Sequence, residues 1–304
     1  MHNSWIIELQ HELLHLRLPG PGWGNRLGGS GYVEPTALAA LALVASEGAG
    51  DTADGAAQAK RAIAEAVDWL TRLQQSDGGL GISPDLPNPR WTTPWAILLW
   101  STTERGRDAR DQAVKWLLNQ RGTTWEPTAD SPYGHNTRIT GWPWVDGTHS
   151  WLEPTALAVL ALRRAGLGDH VRTRDGQRLI RDRAIRSGGW NYGNSAVFGA
   201  DLRPQPAPTG MALLALAGVE DFDAPIVQQS CEYLEAILPT TRAPQSLCFG
   251  TLALTAWNRR PRESDDWLRA ARARAARRSN SIGQLAYLLL AAGTRSLELL
   301  GASP

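Results

Sequence analysis

The stretch Trp151-Leu-Glu-Pro-Thr-Ala-Leu-Ala-Val-Leu-Ala-Leu162 repeats, almost residue for residue, Tyr32-Val-Glu-Pro-Thr-Ala-Leu-Ala-Ala-Leu-Ala-Leu43. Internal repetition of this kind is the signature of an architecture built from stacked units. A third copy is Ala207-Pro-Thr-Gly-Met-Ala-Leu-Leu-Ala-Leu216, and weaker copies start at Thr93, Gln245 and Ser281. Taking Glu34, Thr93, Glu153, Ala207, Gln245 and Ser281 as equivalent gives spacings of 54 to 60 residues early in the chain and 36 to 38 later. Each copy is apolar nearly all round, which predicts a buried helix. Proline in the first turn suits a helix start, because its missing N–H would have had no partner there. Small residues such as Ala39, Ala40, Ala158 and Gly210 allow neighbouring helices to approach closely.

An amphipathic segment precedes each buried one, at about 4–16, 60–75, 111–120, 177–186, 224–238 and 265–278. These segments carry charge on one side and residues such as Trp69, Leu70 and Leu73, or Trp116 and Leu117, on the other. Six outer–inner pairs bury both layers only if the array closes on itself. The expected fold is therefore all-α, an (α/α)6 toroid occupying residues 1–304 as one domain. Alternating apolar–polar runs are absent, so no sheet is expected.

Composition narrows the function. A net charge of +1 over 304 residues gives no field for nucleic acid or another polyanion. Cys231 and Cys248 have neither metal-ligand spacing nor a disulfide framework, and with no signal-peptide pattern at the N-terminus they point to the cytoplasm. No apolar run is long enough to span a bilayer. The arginine-rich stretch 259–278 reads as a solvated outer face, with peripheral contact to an anionic membrane as the alternative. Glu263-Ser-Asp-Asp266 reads as the cap of an outer helix. Gly28-Gly-Ser-Gly31 lacks the lysine of a phosphate-binding loop and reads as a flexible linker.

Between outer and inner helices the chain carries Leu73-Gln-Gln-Ser-Asp-Gly-Gly-Leu80, Asn119-Gln-Arg-Gly-Thr-Thr-Trp125 and Ser187-Gly-Gly-Trp-Asn-Tyr192. These resemble the QW-type turns of squalene–hopene cyclase and its relatives. The chain as a whole resembles the superfamily of terpenoid cyclases and protein prenyltransferases, with their prenyltransferase and squalene oxidase repeats. The acid motif of class II terpene cyclases, Asp-x-Asp-Asp-Thr-Ala, opens an inner helix. Laid on this sequence it falls on Trp151-Leu-Glu153-Pro-Thr-Ala156 and on Tyr32-Val-Glu34-Pro-Thr-Ala37. Its middle, proton-donating carboxylate is a glutamate in both copies, its first aspartate an aromatic residue and its last a proline. Where the prenyltransferases place zinc ligands, this sequence has residues such as Pro154, Pro208 and Gln205. The resemblance thus implies neither metal nor other cofactor.

All inner helices begin at one rim, and the loops leading into them are long in the first four repeats and short in the last two. Seven of the fourteen tryptophans lie in those long loops, which places the site there. Glu34 and Glu153 are the first candidates for a catalytic acid; the plainer reading is that each caps its helix. Asp146 and His149 could form an oriented acid–base pair, or simply belong to an Asp-Gly turn. Trp91, Trp142, Trp144, Trp151, Trp190 and Tyr192 are the candidates for lining a substrate cavity, with Trp23, Trp125 and Trp190 also expected to pack over helix ends. The leading expectation is an enzyme resembling terpene cyclases, protonating an isoprenoid or related hydrophobic substrate in an aromatic cavity. A carbohydrate-active (α/α)6 hydrolase or lyase, and a non-catalytic toroid that binds a hydrophobic ligand or a partner, remain alternatives. Oligomeric state is left open.

Overall fold

The computed structural model describes residues 4–17, 20–25, 30–49, 52–128, 130–219, 224–275 and 282–302. Six inner helices form the wall of a closed ring: α2 (Val33–Ala45), α4 (Thr93–Trp100), α6 (Leu152–Arg164), α8 (Pro206–Leu216), α10 (Pro244–Ala256) and α12 (Ile282–Ala292). Each packs on the next, and α12 packs on α2, which closes the circle. Outside them run α1 (Ser4–His15), α3 (Ala53–Leu73), α5 (Arg107–Asn119), α7 (Val171–Asp182), α9 (Ala224–Ile237) and α11 (Ser264–Ala275), followed after α12 by the short α13 (Ser296–Leu299). The fold is an (α/α)6 toroid.

Residue choice explains the layering. Every residue of α4 is buried, and in α2 only Glu34 is not. The outer helices bury one face only, as in α3, where Ala62, Ile63, Ala66, Val67 and Leu70 point inward. Gly210 lets α8 and α10 touch, since a Cβ there would lie 2.4 Å from the backbone carbon of Phe249. Between the first and last outer helices, Arg272 of α11 joins α1, bonding Glu8 at 2.9 Å, Glu12 at 3.4 Å and the Trp5 carbonyl at 3.4 Å.

A recurring bond network ties α1, α5 and α7 to the start of the next inner helix. Trp23, Trp142 and Trp190 each donate the indole N–H to an outer-helix carbonyl, that of Leu13, Leu117 and Ile180 respectively. Their backbone N–H groups donate to Thr36, Thr155 and Thr209 on the inner helices at 2.9 to 3.0 Å. In the second repeat Leu80 takes the tryptophan position and donates its N–H to Thr93. A glycine precedes the ring because the inner threonine leaves no room: a Cβ on Gly141 would lie 2.4 Å from Thr155 Oγ1.

The structure corrects several expectations. In the third repeat the residue at this position is Trp142, not Trp125. The 121–151 loop doubles back, bonding Trp125 N to Thr137 O, and leaves the Trp125 ring 39% exposed. α3 begins at Ala53, where the Thr52 hydroxyl accepts from Gly55 N, and α7 begins at Val171, where His170 accepts from Arg172 N. Capping therefore starts both helices earlier than apolar spacing implied. A two-stranded hairpin, β1 (Ala196–Val197) and β2 (Ala200–Asp201), stands where no sheet was expected. Gly28 and Gly29, and the stretch 276–281, lie outside the described residues.

Candidate functional site

The centre of the ring is a cavity to which all six inner helices contribute. Glu34 comes from α2, Trp95 from α4, Glu153 and Leu157 from α6, Met211 from α8, Gln245 and Phe249 from α10, and Tyr287 from α12. Trp91 and Trp144, from two long loops, complete the wall and meet edge to face at 4.9 Å. The inner chamber holds about 60 Å³ of free space. An outer chamber of about 300 Å³ shares Glu34, Gln245 and Tyr287 with it and is bordered by Asn25, Leu38, Pro244 and Gln284. Together they reach the lower end of small-molecule sites, about 300–1,000 Å³. Pro35 and Leu38, Pro244 and Gln245, and Gly283 and Gln284 set the outer chamber against α2, α10 and α12. No Lys, Arg or His lines either chamber among the described residues.

Glu34 and Glu153 are each the second residue of an inner helix, so both carboxyls sit at a rim where backbone N–H groups are free. The cap residues Tyr32 and Trp151 make no side-chain cap bond, and among the described residues neither glutamate carboxyl bonds a backbone N–H. Glu34 instead accepts a 3.2 Å hydrogen bond from the Tyr287 hydroxyl, while Glu153 makes no hydrogen bond among the described residues. Burial pushes Glu153 up to about 7, and the Glu34 charge adds to the shift. Burial also raises Glu34, but the Tyr287 bond works against it by favouring the ionised form. Tyr287 is held well above its ordinary value, first by burial and then by the Glu34 charge, so it stays a hydrogen-bond donor. Two carboxyls in one apolar enclosure thus have unequal proton affinities, the arrangement from which acid and base roles arise.

The other candidates divide. Trp91 and Trp144 line the central cavity, whereas Trp142 and Trp190 are held in the helix layers by the bonds described above. The structure does not bring Asp146 and His149 together. Asp146 pairs with Arg90 at 3.2 Å on the surface, and His149 stacks on Trp151 at 4.7 Å in a separate side pocket. Tyr192 is 48% exposed; burial and the Glu153 charge raise its pKa, which places it within electrostatic reach of that carboxyl.

Residues that sequence reading passed over complete the site: Tyr287, Gln245, Phe249 and Met211. Tyr287 carried a usable signal, since a lone tyrosine in an otherwise apolar helix must find a partner for its hydroxyl. Trp95, expected in the core, is buried and forms cavity wall as well, 6.4 Å from the Tyr287 ring. Four of the six described arginines of the 259–278 stretch are in ion pairs: Arg259 with Glu235, Arg260 with Asp265, Arg269 with Asp266 and Arg272 with α1. No helix among the described residues is long and apolar enough to cross a membrane, and no group of three or more His, Cys, Asp or Glu among them could hold a metal ion.

No protein-family model matches the chain, and no curated protein matches it. Solved structures do. A variant of the type II terpene cyclase MstE from Scytonema, in complex with geranylgeranyl dihydroxybenzoate, aligns over 99% of this chain and 97% of its own at 16% identity, with a TM-score of 0.58. A GH76A α-1,6-mannanase from Salegentibacter aligns over 99% and 98% at 8% identity, also with a TM-score of 0.58. A protein from Actinoplanes aligns over 92% and 82% at 19% identity, again at 0.58. At such identities the likeness is one of fold, and the fold is the α/α toroid that terpene cyclases and glycoside hydrolases share.

Proposed function

We propose that the central cavity is a proton-donating site for a hydrophobic, alkene-bearing substrate of isoprenoid type, with Glu153 as the acid. One observation carries this reading: the two carboxyls open into a single aromatic enclosure that no Lys, Arg or His lines among the described residues. Glu153, raised to about 7, still holds a proton in about half the molecules at neutral pH and makes no competing hydrogen bond among the described residues. In the proposed step that proton adds to a substrate C=C, the π electrons form the new C–H bond, and the adjacent carbon becomes a carbocation. Trp91, Trp95, Trp144, Phe249 and Tyr287 present ring faces and edges around the position where that charge would develop, and aromatic faces attract cations. Attack by a second alkene closes a ring and moves the charge to a new carbon; a neighbouring C–H then gives its proton to the Glu153 carboxylate, its electrons form a C=C, and the acid is restored. Glu34, kept closer to its ionised form by Tyr287, would offset the developing positive charge. A lining without Lys, Arg or His among the described residues is a poor host for a diphosphate, so the reading favours neutral polyenes.

Incubation with squalene, oxidosqualene and prenyl diphosphates, followed by gas chromatography and mass spectrometry, tests it. A cyclised product that is absent with Glu153→Gln is expected; unchanged substrates throughout would end the proposal. A second reading is favoured by the same pair of carboxyls, since glycosidases also work with two. Release of sugar from α-1,6-mannan would select it, and the spacing of the carboxyls would then separate retention, about 5–5.5 Å, from inversion, about 6.5–9.5 Å.

A further inference from the structure

A second pocket lies under the 121–151 loop, and its chemistry is opposite to that of the central cavity. Thr123, Trp125, His135, His149, Arg183 and Asn194 are among the residues that line it, and none of its lining residues is a carboxylate. Arg183 is 3% exposed. One guanidinium nitrogen, Nη1, is committed to Asp182 and to the Asn136 carbonyl at 3.4 Å. Its Nε, although buried, has no hydrogen-bond partner, and neither has Nδ1 of His135. The guanidinium Nε–H can only donate, so buried and unpaired it calls for an acceptor. Burial lowers His135 to about 4, and the Arg183 and His149 charges lower it further. Burial is the larger cause, and the smaller one, the Arg183 charge, is what draws in an anion.

The enclosed space is only about 20 Å³, room for a small end group but not for a hydrocarbon chain. At the mouth stand two half-exposed rings, Trp125 at 39% and Tyr133 at 40%, edge to face at 6.0 Å. The Trp125 ring also lies 6.1 Å from His149. From this geometry we infer that the side pocket is a binding site for the carboxylate or phosphate end of a small organic anion whose flat apolar part rests on Trp125. The Trp151 ring forms one wall of this pocket, and Glu153, two residues on, lines the central cavity, so the two sites are neighbours. The inference does not require that Glu153 be an acid catalyst.

Isothermal titration of the full chain with phenylacetate, phenyl phosphate and neutral phenylacetamide tests it. Saturable binding of at least one anion is expected, with the amide weaker by roughly tenfold or more, the worth of hydrogen bonds to a charged group. The better anion identifies the end group as carboxylate or phosphate. Arg183→Gln and the less buried Asn194→Leu and His149→Phe should each weaken that anion, whereas Glu153→Gln should bind it as the wild type does. No binding of either anion, equal binding of the amide, or anion binding untouched in Asn194→Leu and His149→Phe would overturn the inference. Failure here leaves the central cavity's chemistry standing, because that is read from product formation.

Discussion

Repeats one and three open their inner helices with nearly the same twelve residues, yet their glutamates end in different electrostatic company. Both helices start the same way, with a threonine two residues on that receives the N–H of a buried tryptophan, Trp23 in one case and Trp142 in the other. What differs comes from across the ring. Glu34 meets the Tyr287 hydroxyl from α12, whereas Glu153 meets no donor among the described residues and senses the Glu34 charge. Local sequence therefore sets where each carboxyl stands, and its neighbours in the circle set how tightly it holds a proton.

The largest expected effect breaks this asymmetry at the acid. On the proposed chemistry, Glu153→Gln should lower turnover by roughly 10²–10⁴-fold, the usual contribution of a general acid, with Glu34→Gln costing less; equal losses in steady-state assays would erase the distinction. Stability should separate the two forms next. The folded pKa of Glu153, about 7, lies above its reference of 4.5, so the folded state holds an extra proton between those values. Stability from this group is full below about pH 4.5 and is lost as pH rises through about 7. Glu153→Gln should therefore gain about 1–3 kcal/mol relative to wild type at pH 8 compared with pH 4.5, measured by urea denaturation.

A third pair of variants probes the likeness rather than the difference. Thr36→Val and Thr155→Val each leave a buried tryptophan N–H without its acceptor, and should cost a similar 1–3 kcal/mol, roughly, by chemical denaturation. Widely unequal costs would mean that the two repeats are not anchored alike. The smallest effect is expected from Tyr287→Phe. Without the hydroxyl Glu34 is less readily ionised, its charge presses less on Glu153, and the Glu153 titration, followed by carbon-13 NMR, should move downward by under about one unit. A rise would show that Tyr287 does not act through Glu34.

The fold was legible because its inner helices are copies, and apolar residues on every side leave a helix nowhere to go but inside. Proline in the first turn of five inner helices, preceded by glutamate in α2 and α6, also marked the rim, which is how Glu34 and Glu153 could be named from sequence. Loop geometry was not legible in the same way. Trp125 follows its outer helix at turn-like spacing, but the chain makes an excursion before Trp142 reaches the anchoring threonine. Tyr287 and Glu34 are 253 positions apart, so only ring closure shows that they touch. Arg183 was hidden among outer-helix charges, and its burial depends on the loop folded over it.

The bonds from Arg272 to α1 carry one more implication. In an open solenoid, units contact only their neighbours, terminal repeats act as caps, and stability grows by increments as units are added. Here the first and last units are each other's neighbours, so the assembly has no terminal repeat and no partial product with all its faces covered. Removing any one pair should therefore expose apolar surface on both flanks at once, and unfolding should spread from whichever junction parts first.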